Sequence, residues 1–205
     1  MAIASIKYDA NNRPKRAKYC LVILGNMDYH TWSKEATAAL ALSQLKLRLP
    51  TSLAVYNRRV LKNCNIKQAF IQSKLPSDEE SFLRPPAGCP RSQPGQYWRL
   101  LWSLYGLKCA PKLWFEMLSN HLKSMGLKCS DTSPCLFTGV LIPGQPTIFV
   151  GIYVDDIIYF SSSNEVEKHF ETLLSKIGTV DFMGQVSLFL GTEFSWMHHP
   201  WSCHS

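Results

Sequence analysis

The stretch from Phe149 to Phe160 reads FVGIYVDDIIYF, in which two runs of apolar, β-prone residues flank Asp155 and Asp156. Runs of this kind predict two strands, and their simplest connection is a hairpin with both carboxylates near its tip. Adjacent carboxylates repel each other and are costly to bury, so they need a cation or water nearby. Two interpretations of these residues are equally good, a site for divalent metal ions and a polar turn.

Apolar residues at helical spacing predict an α-helix from Thr31 to Leu49. Pro50 follows it, and a proline inside a helix costs about 3 kcal/mol. Either two helices meet at this proline or one helix is kinked there. Another helix is predicted to begin at Pro111 and to end at Gly126, a residue type that suits the position just after a helix.

A third helix is predicted from Asn164, because Glu167 three residues later resembles a capping box. Strand-like segments run from Lys18 to Gly25 and from Val186 to Phe194. Residues 76–97 are rich in Pro, Gly and Ser, which is typical of an extended loop. Strands alternate with helices without internal repeats, and this order predicts an α+β fold.

The positive charge of the chain is concentrated at one end. The net charge is +7, but residues 1–75 carry thirteen Lys and Arg against three Asp and Glu, whereas residues 76–205 carry nine against twelve. A basic part joined to an acidic part suits a polyanion held by one and metal-assisted chemistry on the other. A solvated basic surface without a partner explains the same charge equally well.

The seven cysteines are scattered, without a CxxC pair, and so predict reduced, mostly buried thiols. The N-terminal residues contain no apolar run long enough for a signal peptide, and the most apolar stretch of the chain is too short to cross a bilayer. These features predict a soluble intracellular protein, cytoplasmic or nuclear, with no membrane partner.

Four blocks of sequence carry a family resemblance. The box YVDD at 153–156 resembles the YxDD box of reverse transcriptases, and SLYGLKCAPKLW at 103–114 closely resembles a block of the copia-type retrotransposon polymerases. SDTSPCLF at 130–137 and FLGTE at 189–193 resemble two further blocks of these polymerases. The blocks keep the order and spacing of that family from about Lys18 to Phe194, and the chain is therefore identified as similar to copia-type reverse transcriptases.

The resemblance implies an RNA-directed DNA polymerase that uses two Mg²⁺ ions at Asp155 and Asp156. It implies an α+β fold with a right-hand palm sheet, helices on one face of the sheet, and a fingers subdomain. We expect fingers and palm within residues 1–195, with fingers at about 1–58 and 72–110, and a disordered tail at 196–205. The implied partners are an RNA or DNA template with its primer, deoxynucleoside triphosphates, and other regions of a retrotransposon polyprotein.

The resemblance also implies a third catalytic carboxylate, in a block that here reads NIKQAF at 65–70. The position of that aspartate is occupied by Asn65. An amide oxygen can coordinate Mg²⁺ but brings no negative charge, and hard divalent cations prefer carboxylates. We therefore predict weakened metal binding and a copy that is inactive or severely impaired.

Other positions are assigned by the same resemblance. Lys18 keeps a charge that can meet the triphosphate, whereas Cys20 stands where the family has an arginine, whose phosphate-binding fork it cannot replace. Phe70 takes the place of the aromatic ring that blocks a ribose 2′-hydroxyl, although a core aromatic is an equally good interpretation. Ile66 would offer only its backbone carbonyl to a metal. Cys109 and Pro50 are further departures from the family pattern.

Three functional hypotheses follow from the sequence. The chain is a copia-type reverse transcriptase domain, active or once active; or it is a non-catalytic nucleic-acid binder built on the same fold; or it is the product of a decayed reading frame with no role. Polymerase activity would separate the first hypothesis from the other two. Salt-dependent binding of nucleic acid would separate the second from the third.

Overall fold

The structure of the chain is a computed structural model, and it describes residues 2–8, 12–25, 37, 41–77, 80–86, 88–89 and 92–195. The chain divides into two compact units. The first unit comprises Met1–Ala39 and Gln68–Met117, and the second comprises Leu40–Lys67 and Leu118–Ser205. The tail predicted at 196–205 lies outside the described residues.

Strands and helices alternate along the described chain. In order they are β1 (Ala2–Tyr8), β2 (Pro14–Leu21), α1 (Gln44–Tyr56), β3 (Lys62–Ile66), β4 (Ser81–Leu83), β5 (Trp98–Leu100), α2 (Ala110–Ser124), β6 (Lys128–Ser130), β7 (Ser133–Gly139), β8 (Ile148–Tyr153), β9 (Asp156–Ser161), α3 (Asn164–Leu174), β10 (Val180–Gln185), β11 (Leu188–Phe189) and β12 (Thr192–Glu193).

A six-stranded antiparallel sheet forms the centre of the second unit. Its strand order is β10-β3-β9-β8-β7-β6, so that β3, which is distant in sequence, lies between β9 and β10. The strands β8 and β9 are nearly continuous runs of buried side chains, as expected for strands covered on both faces. An antiparallel sheet combined with helices confirms the predicted α+β class.

Both faces of the β8–β9 hairpin are covered. Phe170 of α3 packs against Tyr159, with ring centroids 5.0 Å apart. On the other face, a side chain at Gly151 would come within 3.1 Å of Leu42. The backbone N–H of Leu42 also donates to the carbonyl of Ile152, at 3.0 Å. Glycine at 151 therefore allows the segment that leads into α1 to lie against the sheet opposite α3.

Two antiparallel hairpins form in the first unit, β1 with β2 and β4 with β5. The strand predicted from Lys18 begins earlier, at Pro14, and ends at Leu21. The extended loop predicted over residues 76–97 was wrong at Ser81–Leu83, which pairs with Trp98–Leu100. A three-residue strand is too short to show an alternating pattern, and only its partner across the hairpin reveals it.

The first predicted helix has different ends in the structure. It begins at Gln44, because the hydroxyl of Ser43 accepts a hydrogen bond from the backbone N–H of Lys46 at 3.3 Å. It continues through Pro50 to Tyr56, so of the two alternatives the structure supports one helix that contains the proline. Pro50 is one of the buried residues of this helix, and its burial offsets the missing hydrogen bond. Most of the predicted part before residue 41 lies outside the described residues.

The second predicted helix is confirmed as α2. Trp114, Leu118 and Leu122 form its buried stripe, and each is at most 1% exposed. Gly126 follows with a φ of 90°, the left-handed conformation expected just after a helix. No helix within the described residues has both the length and the apolar character that crossing a bilayer would require.

The end of the second unit differs from the prediction of one strand over Val186 to Phe194. That segment contains the short hairpin β11–β12, preceded by β10, which the sequence pattern did not indicate. Leu190 and Gly191 have φ values of 51° and 72°. Positive φ at both central residues is the requirement of a type I′ two-residue hairpin turn, which explains the reversal.

The capping box predicted for α3 was wrong. The residue that caps this helix is Ser163, and Glu167 points instead into the protein, where its side chain is 1% exposed. It accepts a hydrogen bond from the backbone N–H of Ser161 at 3.0 Å, and its carboxylate lies 2.8 Å from the ammonium group of Lys62 and 3.4 Å from Arg59. Glu167 thereby joins α3 to β3 and β9.

We expect Glu167→Gln to lower the free energy of unfolding by about 2 to 3 kcal/mol, because it removes one charge of a buried ion pair. Glu171→Gln is the matched control on the same helix. Glu171 also faces Lys62, at 3.7 Å, but its side chain is 26% exposed, so we expect a loss of about 1 kcal/mol or less. Urea unfolding of both variants measures the difference, and equal losses would contradict the role assigned to Glu167.

Candidate active site

The two aspartates lie at the tip of the β8–β9 hairpin, as predicted. Tyr153 and Asp156 are the last paired residues, so the turn consists of Val154 and Asp155 alone. Val154 has a φ of 56°, which is unusual for a β-branched residue and stores about 1 to 3 kcal/mol of strain. A second contact holds this turn: the backbone N–H of Ile66 donates to the carbonyl of Asp155, at 2.8 Å.

Asn65 lies directly opposite Asp156 on the neighbouring strand. The two residues are partners in the antiparallel register of β3 and β9. The side-chain nitrogen of Asn65 donates a hydrogen bond to one carboxylate oxygen of Asp156, at 2.8 Å. The residue at the predicted position of the third carboxylate thus contacts Asp156 as a hydrogen-bond donor.

The pKa of Asp156 is raised above its ordinary value, chiefly because the carboxyl is half-buried. The hydrogen bond from Asn65 acts in the opposite direction and lowers this pKa, while the neighbouring charge of Asp155 raises it. The amide therefore stabilises the charged form of Asp156 against burial and against its neighbour.

The donor set does not match the three-carboxylate metal centre that the resemblance implies. Within the described part of the chain, no group of three or more His, Cys, Asp or Glu side chains is arranged to hold a metal ion. Asp155 and Asp156 are two suitable ligands, but the group that Asn65 turns towards them is NH₂, which cannot coordinate a cation. The site offers two carboxylates where three are expected.

The short hairpin β11–β12 contacts Tyr153, the residue at the end of β8. The ring of Phe189 meets the ring of Tyr153 edge-on, with centroids 6.5 Å apart. The side-chain amide of Gln44 donates to the carbonyl of Leu190, in the turn of this hairpin, at 2.7 Å. Gln44 was not among the predicted residues, because no periodicity or spacing indicates a contact across 146 residues.

The remaining predicted site residues belong to different parts of the structure. Ile66 lies with Asn65 and the aspartates in the second unit, and its side chain is buried. Lys18 is in β2 of the first unit, opposite Ser5, and the structure describes its backbone only. The structure brings together Asn65, Ile66, Asp155 and Asp156.

Phe70 packs in a small core of the first unit. Its ring lies 4.9 Å from that of Tyr105, centroid to centroid, and it also contacts a buried cluster that contains Leu107 and Cys109. These contacts support the interpretation of Phe70 as a core aromatic. Cys109, a departure from the family pattern, is 4% exposed and contributes to the same core.

Comparisons with known proteins agree with the four sequence blocks. A family model described as reverse transcriptase (RNA-dependent DNA polymerase) matches residues 6–199. A retrovirus-related Pol polyprotein from transposon RE2 of Arabidopsis thaliana is 28% identical over 91% of this chain and 13% of its own length. The corresponding polyprotein from transposon TNT 1-94 of Nicotiana tabacum is 23% identical over 93% of this chain and 14% of its own length.

A transposon Ty5-1 protein of Saccharomyces cerevisiae is 30% identical over 62% of this chain and 40% of its own length. The chain thus spans less than half the length of these curated relatives. No solved structure matches it significantly. Because the family model covers almost the whole chain, and because the relatives are copia-type Pol polyproteins of transposons, the chain belongs to the reverse transcriptase (RNA-dependent DNA polymerase) family.

Proposed function

We propose that this domain is the RNA-directed DNA polymerase of a copia-type retrotransposon and that its nucleotidyl-transfer centre, at Asp155 and Asp156, is impaired by Asn65. The observation that carries the proposal is the contact between the side chains of Asn65 and Asp156, at 2.8 Å. It supports the assignment of residue 65 to that centre, which then has two carboxylates instead of three.

The negative charge that Asn65 lacks matters because nucleotidyl transfer depends on bound divalent cations. Asp155 and Asp156 would hold the divalent ions, which would supply activation of a primer 3′-hydroxyl and stabilisation of the pyrophosphate leaving group. Asp155 and Asp156 supply two negative charges for that purpose, on a turn fixed by the backbone hydrogen bond from Ile66. Asn65 supplies no charge and occupies one oxygen of Asp156 with its own N–H group. Both effects weaken cation binding at the pair.

The two units support an assignment to palm and fingers. The second unit contains the six-stranded sheet and the aspartates, which suits a palm, and the first unit contains the basic β1–β2 hairpin, which suits fingers that meet nucleic acid and triphosphate. We propose fingers at about 1–58 and 72–110, of which residues 40–58 lie in the second unit, and a contact of Lys18 with the triphosphate. Other regions of a longer polyprotein would complete the enzyme.

We expect the wild-type chain to extend a primer at or near background rate in the presence of Mg²⁺ or Mn²⁺. We expect Asn65→Asp to raise the rate by about 100-fold or more, because metal-ion stabilisation of a transition state is worth several kcal/mol and each 1.36 kcal/mol is tenfold in rate. Primer extension on an RNA template measures both proteins side by side.

The variant Asn65→Asp with Asp156→Asn is the control for this experiment, because it restores an acid at position 65 while removing one from the turn. It should extend no primer. Robust turnover by the wild type would contradict the proposed impairment. A silent Asn65→Asp variant would show that Asn65 alone does not account for it and that Cys20 or regions outside this chain also matter.

A second candidate function is nucleic-acid binding without catalysis. The observation that favours it is the concentration of positive charge in residues 1–75, which include the β1–β2 hairpin. Lys15 and Arg16 are exposed on β2, and Arg16 pairs across the hairpin with Lys7. Phosphate contacts do not require an intact metal centre, so a domain without turnover can keep this property.

We expect the chain to bind an RNA–DNA hybrid with an affinity that falls steeply with salt, because bound phosphates release counterions. Replacing both Lys15 and Arg16 with alanine should reduce the slope of log K against log salt by about 1 to 2. Lys176→Ala, an exposed lysine after α3, is the matched control and should leave the slope unchanged. Fluorescence anisotropy titrations at several salt concentrations measure the slopes, and a wild type without salt dependence would favour a product with no nucleic-acid role.

A further inference from the structure

The contact between Asn65 and Asp156 has a direction that the chemistry of the two groups requires. A carboxylate only accepts hydrogen bonds, whereas an amide offers both a donor and an acceptor. If the amide of Asn65 turned its oxygen towards Asp156, two acceptors would face each other at hydrogen-bond distance and repel. The amide therefore presents NH₂ to Asp156 for as long as this carboxylate is charged, in agreement with the observed donation at 2.8 Å.

The backbone prevents these two side chains from moving apart. Asn65 and Asp156 are register partners of adjacent antiparallel strands inside the six-stranded sheet. The ladder is extended past them by the hydrogen bond from Ile66 N–H to the carbonyl of Asp155. On the other side of β3, Asp181 of β10 pairs with Asn65. Side chains on such partners face each other at close range, so the groups at positions 65 and 156 must interact favourably or repel.

We propose that the Asn65 amide replaces a divalent cation as the partner of Asp156, so that this centre keeps its structure without metal ions. An aspartate at position 65 would face the carboxylate of Asp156 in a half-buried position. Because strand pairing fixes both residues, the two like charges could not move apart. The stability of the folded protein would then depend on a bound cation. The inference rests on the proposed function in one respect, that position 65 is where the family places its third carboxylate.

The test is thermal unfolding of the whole chain at neutral pH, in a chelator and in millimolar Mn²⁺ or Mg²⁺, without primer or triphosphate. We expect the wild-type midpoint to be the same in both conditions. We expect Asn65→Asp to unfold about 3 to 8 °C below the wild type in chelator, because like charges repel in the half-buried site. Metal ions should raise the midpoint of this variant and so reverse most of the decrease.

The double variant Asn65→Asp with Asp156→Asn separates amide–carboxylate pairing from the mere presence of an acid at position 65. It exchanges the two groups across the strands and restores one donor facing one acceptor. We expect its midpoint to be close to that of the wild type in chelator and to respond little to Mn²⁺. If Asn65→Asp folds in neither condition, the double variant decides: a folded protein with a near wild-type midpoint supports the inference, and an unfolded one contradicts it.

Other outcomes would overturn the inference directly. A wild-type midpoint that rises with Mn²⁺ as much as that of Asn65→Asp would show that the amide does not replace the cation. An Asn65→Asp variant as stable as the wild type in chelator would show that no repulsion is relieved. Unfolding is measured without substrates, so its result does not depend on the outcome of the primer-extension experiment. The proposed polymerase function and the proposed role of the Asn65 amide can therefore be contradicted independently.

Discussion

The antiparallel register between β3 and β9 is the constraint on which the candidate site depends. It places residue 65 opposite residue 156, although 91 residues separate them in the chain. A slip of one residue would turn both side chains to the other face of the sheet. The same register brings Lys62 opposite Tyr159, on the face that α3 covers, where Glu167 binds Lys62 at 2.8 Å. One strand pairing therefore fixes the site on one face and the buried ion pair on the other.

Local pattern predicted the elements that are complete within a short window. The β8–β9 hairpin and α2 follow directly from runs and periods that are visible in the sequence, because the burial of each residue there depends on its own element. The pattern failed where burial depends on distant partners. Glu167 looks like a capping residue, yet it is buried because Lys62 and Arg59, which are distant from it in sequence, form ion pairs with it. Strand β10 is mostly exposed, so its composition gives no strand signal.

The same division applies to the site. The blocks around Asp155, Asp156 and Asn65 could be read from the sequence, including the missing charge. The direction of the Asn65 amide could not, because it depends on the register across two strands. Phe70 shows the opposite situation. Its position inside a family block left a contact with substrate and a core aromatic as alternatives, and only the structure shows that the ring packs against Tyr105.

The exchange of a carboxylate for an amide at position 65 acts on chemistry and on stability in opposite directions. A metal-dependent centre gathers like charges that are tolerable only when cations are bound, and such a centre is unfavourable for the folded protein in their absence. The amide of Asn65 removes one metal ligand, and it also removes one charge that would repel Asp156. Its N–H group donates a hydrogen bond to the Asp156 carboxylate, which a cation would otherwise neutralise. Under the proposed pairing, such a substitution costs the folded domain no stability even where it removes a metal ligand.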